Sequence, residues 1–343
     1  MLKKIVITAL IGIVLLTNSC KDDSITEPDP DPGRRDYTWT VDTLNYEFKV
    51  LFRLWASSPD DVWAISRGGE VDKEVHHFDG TKWTTGQYFL YGLFSIYGFT
   101  SNNIFIGGEN GKIWRFDGNE WKLFATLTKD GHTDIVFDNM WGANPNDLFA
   151  FGTYPDEEGY ANNPVIAQYN GSKWEMYSTK GLFGIVEHLY KNAPDNKIYL
   201  QLIGGRNYTD STHIYEFSNG NYTKLYSNIW AQGFQADISL INGEVFFALG
   251  NRICRRINNQ FKTVLDVNTP NFYQRFWGRS RKDLFLMMDN GLAHYNGTDI
   301  QYLFNYDFRT EIFGAALFEN DVFFLIYQTQ TGLNLIYHGK LKE

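Results

Sequence analysis

One phrase returns seven times along this chain and constrains its fold more than any other feature. An Asp or Asn precedes a hydrophobic pair, and a short run follows that ends in an aromatic, a Gly turn and often a Trp. The clearest copies join Asp-Val-Trp at 61–63 to the run at 78–83, and Asn-Ile-Phe at 103–105 to the run at 116–121. A repeat of roughly 40–50 residues made of short strands and Gly turns is typical of a β-propeller blade. The sequence therefore predicts an all-β fold, a seven-bladed β-propeller.

The turns and the two ends of the chain indicate how the ring closes. Asp-Gly, Asn-Gly or Asn-Asn pairs stand between the third and fourth strands of the repeats, and such pairs tolerate the positive φ of two-residue hairpins. They lie at 79–80, 117–118, 170–171, 219–220, 258–259 and 296–297. The last repeat ends near 337–341, and the stretch 36–40 matches the one around Trp83. We therefore predict that the N-terminal strand completes the last blade, which removes exposed sheet edges.

Aromatic residues recur at one position of the repeat. Trp83, Trp121 and Trp174 occupy it, and Tyr222 and Phe261 stand there in weaker copies. Ligand stacking is one interpretation of such a column. We favour the other, in which these rings fill the gaps between neighbouring twisted sheets.

The start of the chain has the layout of a secretory signal peptide. A basic head with Lys3 and Lys4 precedes an apolar run at 5–16, which is too short to span a bilayer because about 20 residues are needed. Small or polar residues then lead to Cys20. The layout resembles a bacterial lipoprotein signal, whose Cys is lipidated and becomes the new N-terminus, although Thr17 stands where a Leu is usual. The alternative is an ordinary residue at Cys20 beside a cleaved signal.

The segment after Cys20 gives a prediction about location. Lys-Asp-Asp-Ser at 21–24 resembles the short acidic tag with which Bacteroidetes-type bacteria send lipoproteins to the cell exterior; a solvated charge run is the alternative. Residues 25–36 are rich in Pro and Asp, which predicts an extended tether. We therefore expect a signal peptide at 1–19, a lipidated Cys20 with a tether at 20–36, and the propeller at 37–343. We expect the lipid on Cys20 to anchor the protein in the outer membrane, with the propeller facing the cell exterior.

Charge and cysteine content exclude some classes of partner and bond. The formal net charge of −9 argues against nucleic acid as a partner, because binding it needs basic surface that displaces counterions from phosphates. Beyond Cys20 the chain has one other cysteine, Cys254, so no internal disulfide is predicted. Cys254 alternates with its neighbours as in a strand, which favours a buried structural thiol over a nucleophile.

Aligning the first strand of every repeat produces a column of mostly polar residues. In a propeller these inner strands line the axis, so the column is our candidate ligand-binding site. Its members are Arg53, Ser95, Asn139, His188, Asp237 and Arg275, with Gly314 in the seventh repeat. The alternative is a water-filled channel in which Asp237 pairs with Arg53 or Arg275. His188 has no second ligand at a metal-binding spacing, so neither a metal nor another cofactor is predicted.

Long, variable connections are expected on the rim where the inner strands begin. Four aromatics in them are candidates for stacking on a sugar ring or, equally, for anchors folded into the protein: Tyr154, Tyr160, Tyr208 and Phe272. Adjacent His76 and His77 point to opposite faces of a strand and cannot chelate one ion together. The acidic run at 156–158 lacks the spaced ligands of a calcium loop.

The repeat resembles that of bacterial secreted and surface propellers that carry Asp-Val-Trp-Ala followed by Asp-Gly-x-x-Trp. The resemblance covers nearly the whole predicted mature chain and implies a fold without implying an activity. It differs from the Asp-box of sialidase-type propellers, because Asp79 and Gly80 are adjacent here.

Two classes of function follow. The favoured one is a cell-surface lipoprotein that acts as a non-catalytic binding module for a glycan or a surface protein through its variable rim. The alternative is a polysaccharide-active hydrolase or lyase that uses carboxylates near the axis, such as Asp237 or Asp138.

Overall fold

The computed structural model describes residues 29–44, 50–66, 74–204, 211–229, 235–306 and 310–343. Within these ranges the chain forms 28 β-strands and no helix. The predicted signal peptide and Cys20 lie outside the described residues, as does Tyr208. No helix among the described residues is long and apolar enough to cross a membrane.

The strands form seven four-stranded antiparallel sheets, so the predicted seven-bladed β-propeller is confirmed. Blade one comprises β2 (Leu51–Ser58), β3 (Asp61–Ser66), β4 (Glu74–Phe78) and β5 (Trp83–Tyr88). Blade two comprises β6 (Leu93–Thr100), β7 (Asn103–Gly108), β8 (Lys112–Phe116) and β9 (Trp121–Thr126). Blade three comprises β10 (Val136–Asn144), β11 (Asp147–Tyr154), β12 (Asn163–Tyr169) and β13 (Trp174–Met176).

Three blades follow in the same order. Blade four comprises β14 (Ile185–Asn192), β15 (Lys197–Gly204), β16 (Ser211–Ser218) and β17 (Asn221–Ile229). Blade five comprises β18 (Ala236–Ile241), β19 (Glu244–Leu249), β20 (Arg252–Ile257) and β21 (Gln260–Asp266). Blade six comprises β22 (Phe272–Ser280), β23 (Asp283–Met288), β24 (Gly291–Tyr295) and β25 (Ile300–Asn305).

Blade seven takes its outer strand from the front of the chain, as predicted. It comprises β26 (Thr310–Leu317), β27 (Asp321–Gln328), β28 (Leu333–Leu341) and the N-terminal β1 (Tyr37–Leu44). β1 pairs with β28 along its whole length, from Tyr37 opposite Leu341 to Leu44 opposite Asn334. The Trp39 ring meets the Phe304 ring of blade six edge-on at 4.6 Å, which ties the closing strand to the neighbouring sheet.

The core lies between neighbouring blades rather than within one. Trp121 of blade two packs against Trp63 of blade one in a buried cluster, with the ring centroids 6.0 Å apart. Trp83 of blade one donates its indole N–H to Asp42 of β1 over 3.2 Å. The prediction that the recurrent aromatics fill gaps between sheets is therefore confirmed. Cys254 is also buried in such a cluster, and burial raises the pKa of its thiol.

The hairpins between third and fourth strands have the predicted glycines with positive φ, but not all of them have the predicted length of two residues. Gly80 and Gly118 have φ values of 88° and 95°, in the region that favours glycine. Asn219-Gly220 forms the predicted two-residue hairpin between β16 and β17. In blade one the loop instead holds four residues, because the Asp79 carboxylate accepts hydrogen bonds from the Thr81 and Lys82 amides and builds its own turn. A hydrogen bond from the Thr81 hydroxyl, together with those from the two amides, lowers the pKa of Asp79 to about 2.

Every blade carries a polar pair between the first residue of its second strand and a residue of its third strand. The third-strand residue lies opposite an aromatic two positions further along the second strand, as His77 lies opposite Trp63. We call this pair the clasp. The clasps are Asp61–His77, Asn103–Arg115, Asp147–Gln168, Lys197–Glu216, Glu244–Arg255, Asp283–His294 and Asp321–His338.

The two rims of the ring differ. Inner strands begin at one rim, here called the loop rim, which carries the longer connections at 127–135, 155–162 and 177–184. The opposite rim, here called the turn rim, carries short reversals such as 59–60 and 101–102.

The segment that enters β1 is docked on the turn rim. The Gly33 amide donates to the Lys282 carbonyl over 2.9 Å, and Arg35 reaches the Asp299 carboxylate at 2.6 Å and the His294 ring at 3.2 Å. The compact unit runs from 31 to 343, so contacts with the propeller begin ahead of the boundary expected at Tyr37.

Candidate functional site

A cavity of about 460 Å³ lies at the propeller axis, lined by the inner strands from their loop-rim ends to their middle. Five of the six predicted column residues line it: Arg53, Asn139, His188, Asp237 and Arg275. Gly314 lines it as well. A Cβ at this position would lie 2.9 Å from the Leu54 Cβ, so glycine lets blade seven pack closely against blade one. Ser95 is the exception and corrects the prediction. Its hydroxyl is buried and donates to the Phe137 carbonyl over 2.9 Å, so it ties blade two to blade three.

Bulges in the inner strands determine which side chains of the column face the axis. The pairing register shifts just before Arg53, Asn139 and His188, and it shifts in the same way before Ser95 and Gly314. A bulge sets two residues against one and re-aims side chains. Consecutive residues therefore face the axis, so Glu187 and Gln274 line the cavity beside His188 and Arg275. A strict alternation of inward and outward residues does not predict these two.

Three column residues form one charged network. Arg275 Nη1 lies 2.8 Å from the Asp237 carboxylate and 2.7 Å from His188 Nε2. His188 Nε2 is itself 3.6 Å from the other Asp237 oxygen. The predicted charge pair is thus formed by Asp237 with Arg275, in adjacent blades.

The network fixes the protonation of His188. A guanidinium only donates hydrogen bonds, so Nε2 accepts from Arg275 over 2.7 Å. The other ring nitrogen, Nδ1, lies 3.3 Å from the Asn139 amide nitrogen and 3.5 Å from the Tyr190 hydroxyl. Burial, reinforced by the charges of Arg275 and Arg53, lowers the pKa of His188 well below its usual value. The imidazole is therefore neutral near pH 7.

The carboxylates near the axis have different surroundings. Burial raises the pKa of Asp237 despite Arg275, and this carboxylate also accepts from the Ile238 amide over 2.7 Å. Asp138 contributes its backbone carbonyl, which accepts from Arg53 Nη2 over 3.2 Å, but it is not among the lining residues. Of the two carboxylates proposed from the sequence for catalysis, only Asp237 faces the cavity.

A layer of aromatic rings lines the cavity on the turn-rim side of the polar column. The sequence did not lead us to predict it as part of the site. Five rings, each two residues after a column position, line the cavity: Trp55, Tyr97, Trp141, Tyr190 and Trp277. Residues two apart on a strand share a face, so the same alignment that yielded the column contains this layer. The signal was present in the aromatic ends of the first strands.

The aromatic residues predicted for the rim differ in exposure and in contacts. Tyr160 is 46% exposed on the loop rim, whereas Phe272 is 2% exposed and packs in the core between blades five and six. Phe272 is therefore a folded-in anchor, and its suggested role in stacking on a ligand is wrong. Tyr154 stacks on His132 with centroids 4.4 Å apart and lines a second cavity of about 580 Å³ beside Lys129.

The remaining candidates have structural partners. Asp156 accepts from the amides of Glu158 and Tyr160 and thereby shapes its own loop. His76 is buried while His77 joins a clasp, as expected for opposite faces. No group of three potential metal ligands occurs in the described parts of the chain.

Comparisons with known proteins agree on the fold. No protein-family model and no curated protein matches this sequence. Among solved structures, YCF48 bound to D1 peptide is similar at 12% identity and a TM-score of 0.61, covering 92% of this chain and 100% of that one. A streptogramin B lyase is similar at 14% identity and a TM-score of 0.60, covering 89% and 98%. The WD40 β-propeller domain of Doa1 gives 11% identity and a TM-score of 0.54, covering 90% and 98%.

These likenesses show a β-propeller. At such identities they carry the fold alone, and the site has to be interpreted from its own residues.

Proposed function

We propose that this chain is a lipid-anchored protein of the outer membrane, facing the cell exterior, whose propeller binds a peptide segment of a protein partner in the axial cavity. One observation carries the proposal. The cavity lies in the half of the ring nearer the rim with the long connections and combines a buried charged network with an aromatic layer. Concave sites with a few fixed polar groups among aromatic walls are the usual form of binding pockets.

The network supports binding because it is already organised. Arg275 holds Asp237 and His188 in place, and Asn139 donates to the Glu187 carbonyl over 3.0 Å. Polar groups that are fixed before a ligand arrives lose little conformational entropy when it binds.

The path of the chain supports the orientation. The segment that contains Gly33 and Arg35 is docked on the turn rim. A tether from a lipid on Cys20 would therefore join the propeller at the turn rim and not at the loop rim. A binding site needs this arrangement to reach a partner outside the cell.

A peptide is favoured over a glycan by one comparison and by the rim. YCF48, similar in fold, has been solved with a peptide. The loop rim here exposes Leu90, Tyr160 and Phe183, apolar and aromatic side chains that suit protein partners. A glycan ligand is an outcome that the binding test distinguishes.

A polysaccharide hydrolase or lyase is the second candidate. The raised pKa of the Asp237 carboxyl favours it, because catalytic acids share this property. Turnover of a polysaccharide that Asp237→Asn abolishes while binding persists would replace the binding proposal.

The binding test uses full-length protein in detergent on peptide and glycan arrays. Gln235→Trp narrows the cavity at the loop-rim end of blade five and removes no member of the network, and Gln260→Trp is the matched control on the turn rim of the same blade. We expect saturable peptide binding that Gln235→Trp loses and Gln260→Trp retains. Binding to glycans alone, or peptide binding equal in both variants, would refute peptide recognition at the axis.

The anchor is tested separately. Radiolabelled palmitate should enter the wild-type protein and not Cys20→Ala. Protease added to intact cells should degrade the wild-type protein if it faces outward; protection in intact cells, with digestion after lysis, would contradict the orientation.

A further inference from the structure

Among the residues that the structure describes, the charges lining the axial cavity do not balance. Two arginines, Arg53 and Arg275, meet three carboxylates, Glu187, Asp237 and Glu311. Arg275 pairs with Asp237 at 2.8 Å and Arg53 lies 3.7 Å from Glu187. Glu311 makes no ion pair with any residue that the structure describes. We infer that the axial cavity holds a basic side chain, Lys or Arg, of the bound peptide, an inference that rests on the proposed function.

The wall also offers a hydrogen-bond acceptor. Gln201 lines the cavity and is 4% exposed, and among the described residues its Oε1 has no hydrogen-bond partner. A buried acceptor without a donor costs about 1–3 kcal/mol. An ammonium or guanidinium group supplies only donors, so it complements this oxygen and the Glu311 carboxylate together.

The aromatic layer suits the same ligand. Cations are attracted to the faces of Trp and Tyr rings. The protein already uses this contact in the cavity, since the Arg275 guanidinium lies 5.2 Å from the centre of the Trp277 ring. Trp55 and Trp141 line the same layer, and the structure records no cation over them among its described residues.

An anionic ligand is less well matched. Arg275 already donates to Asp237 and His188, and Arg53 donates to the Asp138 carbonyl. A ligand carboxylate would have to displace these partners and approach three carboxylates. The formal net charge of −9 also attracts basic segments over a longer range.

The experiment begins with selection from a random heptapeptide phage library on the full-length protein in detergent. We expect enriched peptides to share an Arg or Lys at one position. Synthetic versions then replace this residue by citrulline for Arg, or norleucine for Lys, which keep the shape and remove the charge. We expect the Kd to rise about tenfold, as for loss of a charged hydrogen bond.

Matched variants locate the contact. Glu311→Gln should weaken binding of the charged peptide several-fold and leave the citrulline or norleucine peptide unchanged. Glu319→Gln, in the same blade but on the turn rim, should alter neither. Circular dichroism confirms that each variant is folded.

The outcomes separate the two claims. Enriched peptides anchored by acidic or purely apolar residues, equal affinity after neutralisation, or an unchanged Kd in Glu311→Gln would overturn the basic-side-chain inference and leave peptide binding standing. Enrichment of no peptide at all would overturn the proposed function and this inference with it.

Discussion

Lys197 Nζ lies 2.9 Å from Glu216 Oε1 and reverses the charge order found at the same two positions of the next blade. There Glu244 meets Arg255, with Nη2 2.7 Å from Oε2 and Nε 2.8 Å from Oε1. The clasp positions thus accept either polarity as long as the partners are complementary. Chemical pairing, rather than residue identity, is what the seven blades share.

The third-strand residue of the clasp also packs on the aromatic ring that lies opposite it. His77 stacks on Trp63 with centroids 3.9 Å apart, and His338 stacks on Phe323 at 4.0 Å. The third-strand residue therefore covers a ring while it pairs with a charge, and both contacts join the second strand to the third.

We predict that the clasp of blade five can be inverted. Glu244→Arg or Arg255→Glu alone should lower the free energy of unfolding by about 2 kcal/mol, because each places like charges together in a partly buried site. The double variant should recover to within about 1 kcal/mol of wild type, since blade four uses that polarity. Urea-induced unfolding followed by Trp fluorescence measures all three.

Lys122→Glu is the control for this experiment, because Lys122 is exposed and its pairs contribute little. A double variant as unstable as the sum of its single variants would show that the positions are not interchangeable.

The clasp explains one limit of the sequence analysis. Asp61 and Asn103 were visible at the start of the second strands, but their partners change from His to Arg, and elsewhere to Gln or Glu. His stands at the third-strand position in three blades and Arg, Gln or Glu in the other four, so no single residue type marks it and only the strand register reveals it. The blade count and the closing strand were predictable because turns and apolar alternation repeat in type.

The axial site was predictable in part for a related reason. Aligning the first strands found Arg53, Asn139 and His188 because their offset within the repeat is constant. The bulges that bring Glu187 to the same cavity leave no fixed residue in the sequence. Ser95 occupies the column in sequence but is buried against Phe137, a contact between blades that one strand cannot show.

We predict that Trp39 is essential to closure of the ring. Trp39→Ala removes a ring that meets Phe304 at 4.6 Å and should lower the free energy of unfolding by about 3 kcal/mol. Val41→Ala on the same strand, where the side chain is 46% exposed, should change it by less than about 0.5 kcal/mol. Thermal unfolding by circular dichroism compares them, and equal stability of both variants would contradict closure through Trp39.

We predict an acid-sensitive contribution from His188. Its folded pKa is below the unfolded value of about 6.5, so between the two pKa values the unfolded chain binds a proton that the folded chain does not. The stability is present above pH 6.5 and is lost as the pH falls toward 5. In His188→Gln, where the amide oxygen still accepts from Arg275, the Tm should fall less between pH 7 and pH 5.

The difference between the two proteins isolates this residue. His213 and His294 also have lowered pKa values, but they contribute equally to wild type and variant. Parallel Tm curves from pH 7 to pH 5 would show that His188 is not the titrating group.

The two aromatics Phe272 and Tyr160 should separate stability from binding. Phe272→Ala leaves a cavity in the core between blades five and six and should lower the free energy of unfolding by about 3–5 kcal/mol. Tyr160→Ala truncates an exposed ring, so stability should stay within about 0.5 kcal/mol of wild type.

For a peptide selected on the wild-type protein, a contact at the loop rim predicts a several-fold higher Kd in Tyr160→Ala alone. Unfolding measurements and peptide titration, each made on both variants at a temperature where both are folded, decide the case. A large loss of stability in Tyr160→Ala would make that ring a structural anchor as well, and an unchanged Kd would confine recognition to the axial cavity.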